Sequence, residues 1–216
     1  MHDDRQSDQR EADIVTDFGD VTGEAALARA VREMVAYVEA SGWDQGPQLF
    51  ALVPTEDLVA AEPGLLAELE DGAVLTPIAQ DRLPADVAGG SRALDEFLGT
   101  TSWPSSVAGC ALVEEIVVLP PDAEADLDSA LAPLLSDRDA ADHAARVAAE
   151  EHPGRRDARL IVGVLRDGPS LALLQLRPED EDDDGFGSDG DLLTYDDLAP
   201  NVVAALYATL DAEPED

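Results

Sequence analysis

The densest set of potential ligands in the chain is Asp180, Asp182, Asp184 and Asp191, within Asp180-Glu181-Asp182-Asp183-Asp184-Gly185-Phe186-Gly187-Ser188-Asp189-Gly190-Asp191. These residues follow the calcium-loop template at its first, third, fifth and sixth positions, with Asp191 where the template carries Glu. Alternating carboxylates and a backbone carbonyl converge on a hard cation in such loops, and a glycine allows the sharp turn. The shorter Asp191 reaches an ion less easily in bidentate fashion. Gly187 stands where these loops usually carry an apolar residue, and Leu171 to Arg177 has the pattern of a strand rather than an entering helix. Seven of the eight residues 179–186 are Asp, Glu or Gly, a composition that by itself produces partial matches. A solvated loop is therefore the expectation and calcium the alternative; no other cofactor is implied.

Nucleophilic chemistry has one thiol, Cys110, and three histidines to serve it: His2, His143 and His152. Cys110 lies between Gly109 and Ala111 at the start of an apolar run, where cysteine behaves as a small hydrophobe. An active thiolate needs a polar, electropositive setting. His143 falls on an Ala-rich helical segment and His152 near its end, where the helix dipole favours a histidine. Neither has a second histidine at ligand spacing. No catalytic residue is assigned. A carboxylate-based, metal-dependent enzyme is the alternative; it would draw on Glu114, Glu115, Asp157 and Asp167. Adjacent strand residues face opposite sides, so Glu114 and Glu115 are not expected to share a site. The chain has no glycine-rich phosphate loop, no nucleophile elbow and no zinc-protease motif.

Arg155, Arg156, Arg159, Arg166 and Arg177 place five of the 13 basic residues within 23 positions. They form a candidate site for an anion or acidic peptide, or they pair with the surrounding acids. Trp103, before Pro104, and Trp43, after Gly42, read as packing anchors at loop junctions, or as partner contacts if exposed. Trp103, Trp43, Arg155, Arg156 and Arg159 are thus the candidate interaction residues.

Several elements must position these groups. Thr22 is a helix N-cap, Leu27, Val31, Met34, Val35 and Val38 recur at helical spacing, and Gly42 is the stop. Leu49 to Val53 has the pattern of a strand, Thr55 to Ala61 of a short helix, and Val74 to Ala79 of an edge strand because of Pro77. Ser91 to Leu98 is helical. Gly109 to Leu119 is the clearest strand, with a bulge or an exit from the core at Glu114-Glu115. Asp126 to Leu135 and Asp137 to Glu151 are helical. Leu160 to Leu165 and Leu171 to Leu176 form a hairpin about Asp167-Gly168, the second strand starting only after Pro169. Leu198, Val202, Val203, Leu206 and Leu210 mark a final amphipathic helix.

The chain carries 48 acids against 13 bases, all arginine, for a formal charge of −35. Such a surface opposes the counterion release that drives nucleic-acid binding, so no nucleic-acid partner is expected. Arginine in place of every lysine, with abundant Ala, Gly, Asp and Val, is what a GC-rich genome encodes; salt adaptation is the competing source of the acidity. One cysteine excludes an intrachain disulfide and a multi-cysteine zinc site. No apolar run approaches the roughly 20 residues of a membrane span, and no N-terminal export signal is visible. The expectation is a cytoplasmic protein without direct membrane insertion.

Trp103-Pro104-Ser105-Ser106-Val107-Ala108-Gly109-Cys110-Ala111-Leu112-Val113-Glu114-Glu115, the closing Leu119-Pro120-Pro121, and His152-Pro153-Gly154-Arg155-Arg156-Asp157-Ala158-Arg159-Leu160 resemble an uncharacterised family of actinobacterial cytosolic proteins. The resemblance covers most of residues 22–212 and brings no functional residue with it.

The element pattern predicts an α+β fold, a mostly antiparallel sheet flanked by amphipathic helices in a single domain. A disordered acidic leader spans 1–20, the domain 21–212 with a mobile acidic loop at 178–191, and an acidic tail 213–216. The functional expectation is a non-enzymatic, protein-interaction or chaperone-like module with an unknown protein partner. Its alternatives are the carboxylate enzyme and a divalent-cation binder using 180–191.

Overall fold

Leu27, Ala30, Val31, Met34 and Val38 stack on one side of helix α1, residues 23–40, and all are buried. This is the stripe the helical spacing predicts. The helix ends where Gly42 takes a φ of 75°, a left-handed conformation glycine adopts without a Cβ penalty. The Gly42 N–H bonds the Glu39 carbonyl at 3.0 Å. The computed structural model describes residues 23–67, 69, 72–120, 123, 144–145, 147–149, 151–166, 168–178, 192–195 and 197–212.

Beyond α1 come strand β1 (Gln48–Pro54), helix α2 (Thr55–Ala61), a 3-10 turn (Pro63–Ala67) and strand β2 (Leu75–Ala79). Helix α3 (Arg92–Gly99) follows, its first turn capped by the Ser91 hydroxyl, which accepts from the Leu94 N–H at 3.2 Å. Strands β3 (Gly109–Val118), β4 (Arg156–Leu165), β5 (Ser170–Leu176) and β6 (Leu192–Leu193) complete the sheet. Helix α4 (Pro200–Asp211) closes the fold. All pairings are antiparallel, in the order β2-β1-β3-β4-β5-β6. The fold is α+β.

Both faces of the sheet are covered. Helix α1 lies over Phe50, Leu52, Ala111, Val113 and Ile161. On the opposite face Leu94, Leu98, Leu206 and Leu210 of α3 and α4, with Trp103 and Val107, pack on Leu49, Cys110, Leu112, Leu160, Val162 and Val164. Burial on both sides explains why β3 and β4 read as continuous apolar runs rather than alternating ones. Each fully buried Leu, Val or Met of α1 contributes about 1.5–3 kcal/mol, so a carboxylate at Met34 would detach the helix from the sheet.

Two sequence expectations resolve in particular ways. Pro77 sits on an edge strand, where a missing N–H costs no ladder bond. No bulge interrupts β3 at Glu114-Glu115: its register with β4 runs unbroken from Gly109 opposite Leu165 to Val118 opposite Arg156. The strand instead leaves the core there, and every residue from Glu115 to Val118 is partly exposed. The segments 126–135 and most of 137–151 lie outside the described residues; of the latter, 144, 145, 147–149 and 151 are helical. Among the described residues no helix is long and apolar enough to cross a membrane.

Candidate functional site

Strand β1 begins at Gln48, opposite Val113, whereas β3 continues to Val118. Past that point β3 has β4 on one side and only loops on the other. The space between those loops and the end of α1 is a cavity of about 420 Å³. Tyr37 and Val38 of α1, Pro47, and Leu83 and Val87 of the 80–91 loop supply its apolar walls, and Glu114, Glu115, Arg159 and Arg82 its charges. The volume lies within the range of about 300–1,000 Å³ common for ligand pockets.

Glu114 and Glu115 do face opposite sides of the sheet. Both nevertheless border this cavity, because β1 has stopped and no neighbouring strand separates the two faces there. Their environments differ. Glu114 is 3% exposed, and its Oε2 accepts the Gly90 N–H at 2.7 Å. The loop approaches so closely that a Cβ on Gly89 would stand 2.5 Å from the Glu115 carbonyl oxygen. Burial pushes the Glu114 carboxyl above the usual carboxylate range; the Gly90 N–H opposes this, and nearby Asp95 adds to it.

Glu115 belongs to a different network. It lies opposite Arg159 of β4, which lies opposite Gln175 of β5, so the three form a row across the sheet beneath the end of α1. The Arg159 guanidinium donates to the Gly42 carbonyl at 2.7 Å, to Gln175 Oε1 at 3.2 Å and to Glu115 Oε1 at 3.3 Å. Gln175 Nε2 donates in turn to Glu39 Oε1 at 2.5 Å. Glu115 accepts the backbone N–H groups of Asp44 at 2.9 Å and Gln45 at 3.2 Å. Trp43 lies over two cations, its ring centre 4.3 Å from the Arg159 guanidinium carbon and 5.4 Å from that of Arg177. Arg177 makes a two-pronged bond to Asp44, at 2.9 and 3.1 Å. That bond and the accompanying attraction hold the Asp44 carboxyl below its ordinary value and raise Arg177. The network clamps the 41–47 loop onto the sheet, and that loop forms one wall of the cavity.

Of the residues singled out in the sequence, the structure brings Trp43, Glu114, Glu115, Arg159 and Arg177 together here. Arg155 and Arg156 stand exposed at the foot of β4. Trp103 is on the other face, 7% exposed, its indole N–H donating to Thr209 Oγ1 at 3.0 Å; it anchors α4 to the core and presents no surface to a partner. Arg159 is buried and bonded to Gly42, Gln175 and Glu115, and it is open to a partner only through the cavity it lines. Arg166 donates to the carbonyls of Val107 and Leu210, tying β4 to α4. Cys110 is fully buried beside Thr209 and the Leu206 carbonyl, and burial raises its thiol to about 11. His152 Nδ1 accepts the Gly154 N–H at 3.0 Å, fixing a turn. Asp157 lies 3.6 Å from Arg177. Asp180, Asp182, Asp184 and Asp191, like Asp167, His2 and His143, lie outside the described residues. Among the described residues no group of three or more His, Cys, Asp or Glu side chains is placed to hold a metal ion.

The sequence reading did not single out Tyr37, Arg82, Leu83, Val87 or Gly90 as neighbours of Glu114. The usable signal was the acidic pair itself, interrupting an apolar strand, and the Gly89-Gly90 doublet that permits a close backbone approach.

A family model described as PPA1309-like protein matches residues 27–211, a span that runs from α1 to the last residue of α4. No curated protein and no solved structure matches the chain.

Proposed function

The chain belongs to the PPA1309-like protein family, and within that membership we propose that it acts as a non-enzymatic protein-interaction module whose recognition site is the cavity beside the end of α1. The observation that carries this reading is a cavity of about 420 Å³ with a half-exposed aromatic, Tyr37, on its lining. Interfaces concentrate their energy where one anchor side chain fills a desolvated pocket and the surrounding surface closes over it. The clamped 41–47 loop gives the cavity a preorganised wall, which lowers the ordering cost of docking. Among the described residues, three groups a catalyst could use serve the fold: Cys110 as a core residue, His152 in a turn, Glu115 in the loop clamp.

The site is tested by filling it. Ala85 lines the cavity and is itself exposed, so Ala85→Trp leaves the core intact while occupying the opening. Capture from native cytosol should recover a partner with the full chain and with a 178–191 deletion, and lose it with Ala85→Trp. A partner indifferent to Ala85→Trp overturns the assignment of the site.

One observation favours a second reading. A buried carboxyl with a raised pKa in a cavity is what a general acid requires, and Glu114 is such a group. Its neighbour Glu115 is committed to Arg159 and two backbone N–H groups, so these two glutamates do not form a catalytic carboxylate pair. Turnover of a substrate abolished by Glu114→Gln would establish that reading over the first.

A further inference from the structure

Glu114 is the more deeply buried of the two glutamates on the cavity lining. Its side chain is almost wholly buried, yet Gly90 supplies its single hydrogen bond, to Oε2. Among the described residues its Oε1 has no hydrogen-bond partner, and the carboxylate makes no ion pair. A carboxylate withdrawn from water without a counter-charge is costly unless it is neutralised or paired. Of the two arginines on the lining, Arg159 is spent on Gly42, Gln175, Glu115 and Trp43. Asp95 of α3 adds repulsion. Arg82 on the cavity lining is exposed, and the described residues give it no ion pair.

We propose that the cavity takes one basic side chain of the partner, its cationic head against the free Oε1 of Glu114 and its aliphatic stem along Val38, Leu83 and Val87. This rests on the interaction reading above and names the chemistry it recognises. The exposed Tyr37 ring offers a second contact for a cation. The −35 charge of the chain draws basic partners toward the surface. Long basic side chains suit such a site because their stems bury well against apolar walls.

The Gly90 amide is a built-in reporter, since it donates directly to the Glu114 carboxylate. The full-length 15N-labelled protein would be titrated with n-butylguanidinium at about 0.15 M salt, where exposed charges more than about 8 Å apart are largely screened. The expected result is a saturable shift of Gly90, absent with 1-butanol and with butyrate. Glu114→Gln should weaken n-butylguanidinium about 10-fold or more, while Glu96→Gln, on the exposed face of α3, should leave it unchanged. Equal binding of 1-butanol, or undiminished affinity in Glu114→Gln, overturns the proposal. Should Glu114→Gln fail to fold, the unaltered protein still decides the matter. A cation on the carboxylate must lower the pH at which Gly90 titrates, and an unmoved midpoint overturns the proposal. Partner capture separates the two levels. Loss with Ala85→Trp but retention with Glu114→Gln defeats the cation seat and keeps the interaction site. Indifference to both variants defeats both.

Discussion

Replacing Arg159 by alanine should be among the most damaging single changes available in this protein. The side chain is 2% exposed and links three strands to the end of α1. Its removal leaves the Gly42 carbonyl without its charged donor, Gln175 Oε1 without a partner and Glu115 without its counter-charge. Breaking a buried pair by removing one member costs about 3–5 kcal/mol. Glu115 keeps its two backbone donors, and its side chain is 20% exposed, which places the loss near the lower end, about 3 kcal/mol. For a domain of this size that corresponds to roughly 6–12 °C in melting temperature. Urea unfolding followed by fluorescence reads it directly, since Trp43 stacks on the guanidinium being removed. An exposed control, Arg32→Ala, should stay within about 0.5 kcal/mol. The pair Arg159→Met and Glu115→Gln should cost less together than the sum of the single changes, because each relieves the charge the other strands. A loss below about 1 kcal/mol for Arg159→Ala, the range of exposed ion pairs, would refute the network as the clamp of the 41–47 loop.

Four further outcomes follow from the same geometry. Cys110, buried with a thiol raised to about 11, should resist alkylation at pH 8 in the folded protein and react at once in denaturant; rapid labelling of the native state would contradict its placement. Glu114 has a raised folded pKa, so its contribution to stability is full below the unfolded value of about 4.3 and is lost as pH rises through the folded value. Glu114→Gln should therefore raise the urea midpoint at pH 7 relative to the parent and change it little at pH 4, and an equal gain at both would sink the argument. Asp44 has the opposite sign, its support present at neutral pH and lost as pH falls through its lowered value; Asp44→Asn should have only a small effect, and one that fades in high salt. Finally, Gly89→Ala would set a Cβ 2.5 Å from the Glu115 carbonyl oxygen. It should destabilise by about 1–3 kcal/mol and move the Gly90 amide resonance; an unshifted Gly90 would show that the loop does not press on β3.

Most elements were legible because local residue pattern sets them; β6 was not marked in the sequence, and β4 starts at Arg156, ahead of its apolar run at Leu160. The helical stripe ending at Gly42, the short helix that follows Ser91, the edge strand marked by Pro77 and the hairpin restarting after Pro169 all stand where the residue pattern puts them. The same pattern determined the α+β class, since two amphipathic helices and a set of apolar strands have few ways to bury their apolar sides together. What the sequence alone could not determine was which polar residues meet. Glu114 and Glu115 looked unable to share a site because strand geometry sends them to opposite faces, and so it does. Only the tertiary structure decided that β1 would start at Gln48 and leave β3 unflanked, opening both faces to one cavity. Trp43 and Trp103 were alike in sequence, each at a loop junction. The fold put one against two guanidinium groups and the other in the core against Thr209. Arg159 was one arginine among five, and its burial follows from cross-strand register with Glu115 and Gln175, residues 44 and 16 positions away. Local periodicity determines which face a side chain takes; what it meets there depends on contacts distant in the chain, and those are set by packing.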